Sequence, residues 1–169
     1  MSAAESLQVD DDGATIAFTF ADLMRYHGPH SPAGVAMAFK AMQRAFGALS
    51  PGSPVPRRAV VVRTAFRGPG ARDGFEAVTR GVTEDRYTVD RSLVRPDRGR
   101  LLEDFVFQVA VGDRAVTLLL RDGFVTGEFL DLARASGRNA AQEQRLVELK
   151  AALAQRVMAA SAADVFTLS

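Results

Sequence analysis

The 169-residue sequence contains no cysteine, no tryptophan and only two histidines, His27 and His30. The absence of cysteine excludes disulfides, thiolate nucleophiles, zinc ribbons and iron–sulfur clusters. No apolar run approaches the roughly 20 residues that cross a membrane as a helix. The start, MSAAESLQVDDDG, lacks the basic and apolar regions of a secretory signal. We therefore expect a cytoplasmic protein with no membrane partner.

Lysine is almost absent as well. Lys40 and Lys150 are the only two among 21 basic residues, so the other 19 are arginine. A GC-rich genome is the simplest explanation, and the functional alternative is bidentate binding of carboxylate or phosphate by the planar guanidinium. Because 20 acidic residues leave a net charge of +1, no general nucleic-acid-binding face is indicated.

The most regular helical pattern follows Ser31-Pro32, a hydroxyl N-cap with proline at the first helical position. Apolar residues then recur at helical spacing and predict one buried stripe, formed by Val35, Phe39, Met42, Phe46 and Leu49. Small residues lie beside this stripe, so another element can approach the helix closely. Further helices are predicted at 22–27, at 73–80, after Thr126 or Gly127, and after Asn139.

Strands are predicted at 14–20, 59–66, 86–93, 104–111 and 114–121, from alternation and from β-branched or aromatic content. The last two runs are joined at Gly112-Asp113, the strongest hairpin signal in the chain. Such local pairing favours an α+β fold with a mixed, mainly antiparallel sheet, backed by a single layer of helices on one face. We predict a flexible tail over residues 1–12 and a single domain over residues 13–169.

The two histidines lie three residues apart in a turn just before the best helix, where backbone N–H groups favour anions. Such a pair can hold a divalent metal weakly, or transfer protons near neutral pH. Two imidazoles are too few for a closed zinc site, so carboxylates such as Asp73 or Glu76 would have to join them. The other interpretation is that one ring caps the turn while the other is solvated.

A second group of polar side chains lies at 72–83. Asp73 is expected either to cap its helix or to reach the same pocket as His27. Sharing a ligand requires side chains within about 8–10 Å of each other, because polar contacts are about 3 Å each. The predicted ligand-binding residues are His27, His30, Ser31, Asp73, Thr79 and Thr83, with His27 and His30 as candidate metal ligands.

The segment YHGPHSPAGVAMAFKAM resembles the opening motif of the E-type subunits of formylmethanofuran dehydrogenase, which reads His-Gly-His-x-Cys-Pro-Gly before a helix of small and apolar residues. His27 and Gly28 match its start and Pro32 matches its proline. Ser31 stands where the cysteine would be. The second histidine's place is taken by proline, with His30 one step later.

The segment VVVRTAFRGPGARDGFEAVTRGVT is similar to the family's next element, a strand followed by Cys-x-x-Asp-Ala and Thr-Gly-Cys-Thr motifs. Four residues stand at matching places: Asp73, Thr79, Gly81 and Thr83. Gly70 and Val82 take the cysteine positions, and Arg80 resembles an insertion. The paired strands and the closing ADVFTL also resemble the family's tail, so the similarity spans most of residues 18–168.

This resemblance implies a mixed sheet backed by helices, a homodimer and a place in one-carbon metabolism. Family members bind metal through the cysteines and the histidine, and the cysteines are missing here. Three functions follow, of which we expect the first. One is a binding or accessory protein that holds a small anionic or polar ligand in a pocket near residues 27–31. The others are a metal-assisted or acid–base enzyme using His27, His30 and Asp73, and an oligomeric scaffold.

Overall fold

The computed structural model describes residues 5–169, which form helices and strands in both halves of the chain. The strands are β1 (Ser6–Asp11), β2 (Ala14–Thr19), β3 (Val55–Pro56), β4 (Val60–Thr64), β5 (Tyr87–Val89), β6 (Val106–Val111), β7 (Arg114–Leu120) and β8 (Phe166–Leu168). The α-helices are α1 (Phe20–His27), α2 (Pro32–Leu49), α3 (Pro69–Thr79), α4 (Gly127–Arg134), α5 (Ala140–Ala159) and α6 (Ala162–Val165). The predicted α+β class is confirmed.

The strands form two mixed sheets where the sequence predicted one. The smaller sheet has the order β2-β1-β3 and the larger has the order β5-β4-β6-β7-β8. In the larger sheet β5 runs parallel to β4, and the remaining neighbours are antiparallel. The Gly112-Asp113 hairpin is confirmed, since Val111 pairs with Arg114 across a two-residue turn and Gly112 has φ of 63°.

The prediction of a flexible tail over residues 1–12 is wrong for residues 6–11, which form β1, while residues 1–4 lie outside the described residues. Leu7 and Val9 alternate with polar neighbours and are 3% and 0% exposed, so one face of β1 is buried in the core. Asp12 and Gly13 have φ of 54° and 87°. Both values suit a two-residue type I′ hairpin turn, which joins β1 to β2.

The long helix α2 is the centre of the fold, as its pattern predicts. All five residues of the predicted stripe are buried, and burial extends around most of the helix in its first half. A helix that is apolar on all sides must be covered on all sides; α3, α5 and strands of both sheets pack against α2. Its one buried charge, Lys40, is fully enclosed and binds Glu5 with an Nζ–Oε2 distance of 2.7 Å.

The predicted start of α3 at Asp73 is wrong by one turn. The helix begins at Pro69, with Gly68 as its N-cap. Proline is well suited to the first helical position, because it has no N–H to leave unpaired there. Asp73 therefore lies in the second turn and is not the cap. The predicted helix starts after Thr126 and Asn139 are confirmed, since both side chains accept a hydrogen bond from their helix's first turn.

Part of the arginine excess has a structural use at helix C-termini. Arg114 donates to the carbonyls of Leu49 and Ala48 at the end of α2, over 2.6 and 3.1 Å. Arg57 does the same for Val78 and Ala77 at the end of α3, over 2.8 and 3.0 Å. A forked guanidinium reaches two carbonyls at once, which a lysine ammonium does less well.

In residues 5–169, no helix is long and apolar enough to cross a membrane.

Candidate functional site

Of the two positions considered for Asp73, the helix cap and a place beside His27, the structure shows the second. His27 is the last residue of α1, which ends because Gly28 takes φ of 90°, and α1 packs against α3. The Nδ1 atom of His27 lies 2.7 Å from Oδ2 of Asp73, although the two residues are 46 positions apart. Arg72 donates to the other carboxylate oxygen of Asp73 over 3.3 Å. A carboxylate only accepts, so the proton of this hydrogen bond lies on Nδ1 of the ring.

The histidine of this pair is enclosed by the protein, while the Asp73 side chain is partly exposed. The His27 side chain is 6% exposed, and its Nε2 atom is buried with no hydrogen-bond partner among the described residues. The Tyr87 hydroxyl on β5 is likewise buried without a hydrogen-bond partner among the described residues. Burial raises the pKa of that hydroxyl, the charge of Arg72 opposes the rise, and the charge of Asp73 adds to it. Tyr87 therefore stays protonated near neutral pH and lies in the field of the Arg72–Asp73 pair.

Two further predicted residues stabilise the C-terminal end of α3. The Thr79 hydroxyl donates to the Phe75 carbonyl over 2.8 Å and accepts from the Gly81 amide over 3.0 Å, with no exposed surface left. Thr83 donates its amide and its hydroxyl to the buried carboxylate of Glu76. Thr83 and Glu76 also line a shallow groove of about 560 Å³ between α1 and α3. Their contacts are those of a helix end and its turn.

His30 and Ser31 do not line that groove. The His30 side chain is exposed, and its backbone carbonyl accepts from Lys150 over 3.2 Å. Ser31 precedes α2 without a capping bond from its side chain in the described structure. Among residues 5–169, no group of three or more histidine, aspartate or glutamate side chains is placed to hold a metal ion. The predicted metal ligands His27 and His30 therefore have no third ligand of these types there.

Ser31 lines a cavity of about 600 Å³, which is bounded by the N-terminal ends of α2 and α3, by α4 and α5, and by the chain around Asp104. Its apolar wall is formed by Phe66, Phe105, Phe129 and Leu130, and its basic side chains are Arg67, Arg91, Arg134 and Lys150. Two carboxylates, those of Glu103 and Asp104, also line it. Basic groups thus outnumber acidic groups by four to two.

The charges of the cavity are only partly paired with each other. Asp104 binds Arg91 over 3.0 Å and Arg134 over 3.4 Å, and Lys150 donates to a neutral carbonyl. Arg67 is exposed, and within residues 5–169 it forms neither a hydrogen bond nor an ion pair from its side chain. One guanidinium at the cavity is therefore free to bind a ligand.

Two helix N-termini meet in the cavity wall. Ala33 and Gly34 belong to the first turn of α2, and Gly70 to the first turn of α3. Neither first turn contains an acidic residue, and neither helix has a side-chain cap in the described structure. Amides in a first turn have no partner within the helix and carry partial positive charge. This wall reinforces the positive potential of the arginines.

The sequence does not predict the basic side chains of this cavity. Arg67 lies three residues after the end of β4 and directly before Gly68, the N-cap of α3. Arg134 and Lys150 come from α4 and α5, far along the chain, and no spacing connects them to Arg67. The structure brings Ser31 to the cavity, while His27 and Asp73 form a separate contact whose atoms are not part of the cavity wall.

Comparison with known proteins adds no family assignment: no protein-family model matches the chain, and no curated protein is significantly similar to it. The resemblance to the E-type subunits of formylmethanofuran dehydrogenase therefore stays a prediction.

His27→Ala is expected to lower the free energy of unfolding by about 1–2 kcal/mol, because it removes a hydrogen bond to a charged group between two helices. The measurement is urea denaturation, with Asp73→Asn as a milder variant that keeps an acceptor for Nδ1–H. Ligand binding in the cavity should not change, since His27 is not in its wall. Loss of binding at an unchanged melting temperature would instead assign His27 to the binding site.

Proposed function

We propose that the protein is a ligand-binding or accessory protein that holds a small organic anion in the cavity next to the turn at residues 27–31. The observation that carries this proposal is the excess of four basic over two acidic side chains in an otherwise largely apolar wall. Pockets of about 300–1,000 Å³ with a few convergent polar groups are the usual binding sites of small molecules. At about 600 Å³, the cavity is within this range.

The electrostatics favour an anion over a neutral ligand. Arg67 offers a planar fork that matches carboxylate or phosphate, and the two helix N-termini add partial positive charge on the same side. An apolar wall lowers the local dielectric, so each of these charges acts more strongly than it would in water. The proposal thus needs neither a metal nor a thiolate.

The resemblance described above supplies a metabolic setting for this proposal, namely one-carbon metabolism, and a homodimer as its assembly. Both remain predictions. Binding measurements on the cavity test the ligand class independently of either.

Replacement of Arg67 tests the proposal. Arg67→Gln is expected to weaken the binding of an organic anion about tenfold or more, because it removes a charge-assisted hydrogen-bond pair. The probes are acetate, benzoate and phenyl phosphate, titrated while the amide resonances of Gly34 and Gly70 are followed by NMR. Arg25→Gln is the matched control, since the Arg25 side chain is 73% exposed and lies outside the cavity.

The proposal would be contradicted if no probe shifts the Gly34 and Gly70 resonances, or if Arg67→Gln and Arg25→Gln bind every probe equally well. Neither substitution touches the core, so both variants should keep the wild-type melting temperature to within a few degrees.

Acid–base catalysis by His27 and Asp73 is the second candidate, and the 2.7 Å contact between them favours it. A carboxylate on Nδ1 orients the ring and leaves Nε2 to take a proton, as in a general base. A base must also reach its substrate, and here Nε2 is enclosed with no wall position in the cavity. The geometry therefore supports ligand binding better than catalysis.

A further inference from the structure

We infer that the ligand is an aryl or branched-acyl monocarboxylate, with its carboxylate at Arg67 and its apolar body against the aromatic wall. This inference rests on the proposed function and narrows the class of ligand by two properties, its apolar body and its single negative charge. Each property has its own structural basis.

The apolar part is indicated by the side chains that line the cavity beside the helix N-termini. Phe66 and Phe105 stack with their ring centroids 4.9 Å apart and an interplanar angle of 30°, and Phe105 is 1% exposed. Phe129 and Leu130 of α4 also line the cavity. Aromatic faces prefer offset or edge contacts with other flat apolar groups. A ring or a branched acyl chain fits such a wall, whereas a small hydrophilic anion leaves it in contact with water.

Gly68 keeps the apolar wall and the anion-binding groups next to each other. A side-chain Cβ at position 68 would lie 2.4 Å from the Phe66 ring, so the ring packs directly over this residue's backbone. Gly68 is the N-cap of α3, and Arg67 precedes it. The aromatic face, the free guanidinium and the first amide of the helix, that of Gly70, are therefore contributed by five consecutive residues, Phe66 to Gly70. One small molecule with an anionic end and an apolar body can contact all three.

The charge is indicated by the two carboxylates in the wall. Asp104 already forms ion pairs with Arg91 and Arg134, and Glu103 adds a second negative charge. A phosphate monoester carries about −1.5 to −2 near neutral pH and would be repelled by both carboxylates. A carboxylate carries a single charge and matches the one guanidinium that is free, in a bidentate geometry. Because Arg91 and Arg134 are paired with Asp104, the single unpaired guanidinium of the cavity favours a monocarboxylate.

The test compares four probes on the full-length protein by calorimetry and NMR: acetate, benzoate, benzamide and phenyl phosphate. Benzoate is expected to bind at least about tenfold more tightly than acetate, because the ring buries apolar surface in the cavity. Benzamide, which has the same shape without the charge, should bind at least about tenfold more weakly than benzoate. Phenyl phosphate should bind more weakly than benzoate because of its second charge.

Phe129→Ala separates the apolar contribution from the charge. This variant is expected to weaken benzoate binding about fivefold or more while leaving the affinity for acetate unchanged. Val147→Ala is the control, because Val147 is 59% exposed and lies outside the cavity. The comparison among probes on the wild-type protein decides the matter even if Phe129→Ala folds poorly.

Two results would overturn the inference alone. Equal affinities for acetate and benzoate would exclude the apolar body, and tighter binding of phenyl phosphate than of benzoate would exclude the single charge. In both cases an Arg67-dependent anion site would still exist, so the proposed function would stand. If no anion binds in an Arg67-dependent manner, the proposed function and the inference fail together.

Discussion

Phe107→Ala is expected to lower the free energy of unfolding by about 3–5 kcal/mol, the range for removing a fully buried aromatic ring. Phe107 has no exposed surface. Its ring centroid lies 5.8 Å from those of Phe75 and Phe166 and 6.2 Å from that of Phe66. It thereby joins β6 to α3, to β8 and to the aromatic wall of the cavity. Replacement by alanine would leave each of these three rings without one of its packing partners.

Urea denaturation is the measurement, with Phe129→Ala as the control. Phe129 is partly exposed at the cavity, so its replacement should cost less stability while weakening the binding of an aromatic carboxylate. Phe107→Ala should lower the stability more than Phe129→Ala does, and it should weaken the binding of the aromatic carboxylate less. A loss below about 1 kcal/mol, the size of ordinary surface changes, would show that Phe107 is not at the centre of the core.

Local signals were sufficient for much of the fold. The spacing of Phe39, Met42 and Phe46 predicts the buried face of α2, because a helix of this length repeats one environment every 3.6 residues. The Gly112-Asp113 turn predicts the β6–β7 hairpin, since few residues tolerate positive φ. In each case the decisive interaction lies within a few positions in the sequence.

The errors occurred where one signal obscured another. The acidic run at 10–12 suggested a tail, although Asp12-Gly13 is itself a hairpin signal and Leu7 and Val9 alternate as a strand requires. The start of α3 was predicted at Asp73, although Pro69 suits the first helical position one turn earlier. In both segments the position of a few residues in the turn or the helix start decides the structure.

The candidate site also has a part that the sequence could suggest and a part that it could not. For Asp73 the sequence leaves two positions open, the helix cap and the pocket of His27, and the packing of α1 against α3 decides between them. The cavity charges could not be foreseen, because Arg67, Asp104, Arg134 and Lys150 come together only after α4 and α5 pack on the first half of the chain. Residues that are far apart in the sequence and meet only in the folded protein produce no periodic pattern in a single sequence.

The helices α2 and α3 approach each other closely at Gly34, and Gly34→Val tests this contact. A Cβ atom at position 34 would lie 2.9 Å from the Ala71 backbone nitrogen and 3.2 Å from the Gly70 Cα atom. Both are backbone atoms of α3, so no flexible side chain can move aside, and the helices must separate. We expect a loss of about 2–3 kcal/mol in the free energy of unfolding, the upper range for overpacking a core.

Gly47→Val on the same helix is the matched control, because Gly47 is exposed and a Cβ there meets no atom within 4 Å. Valine has a slightly higher helix propensity than glycine, so this variant should change stability by less than about 0.5 kcal/mol. The difference between the two variants then isolates the contact between the helices. Gly34→Val should also weaken anion binding, because Ser31, Gly34 and Gly70 form the wall in which the two N-termini meet. Equal stability of the two variants would mean that α2 and α3 do not approach each other at Gly34, and the cavity would then lack the wall on which the proposed anion site depends.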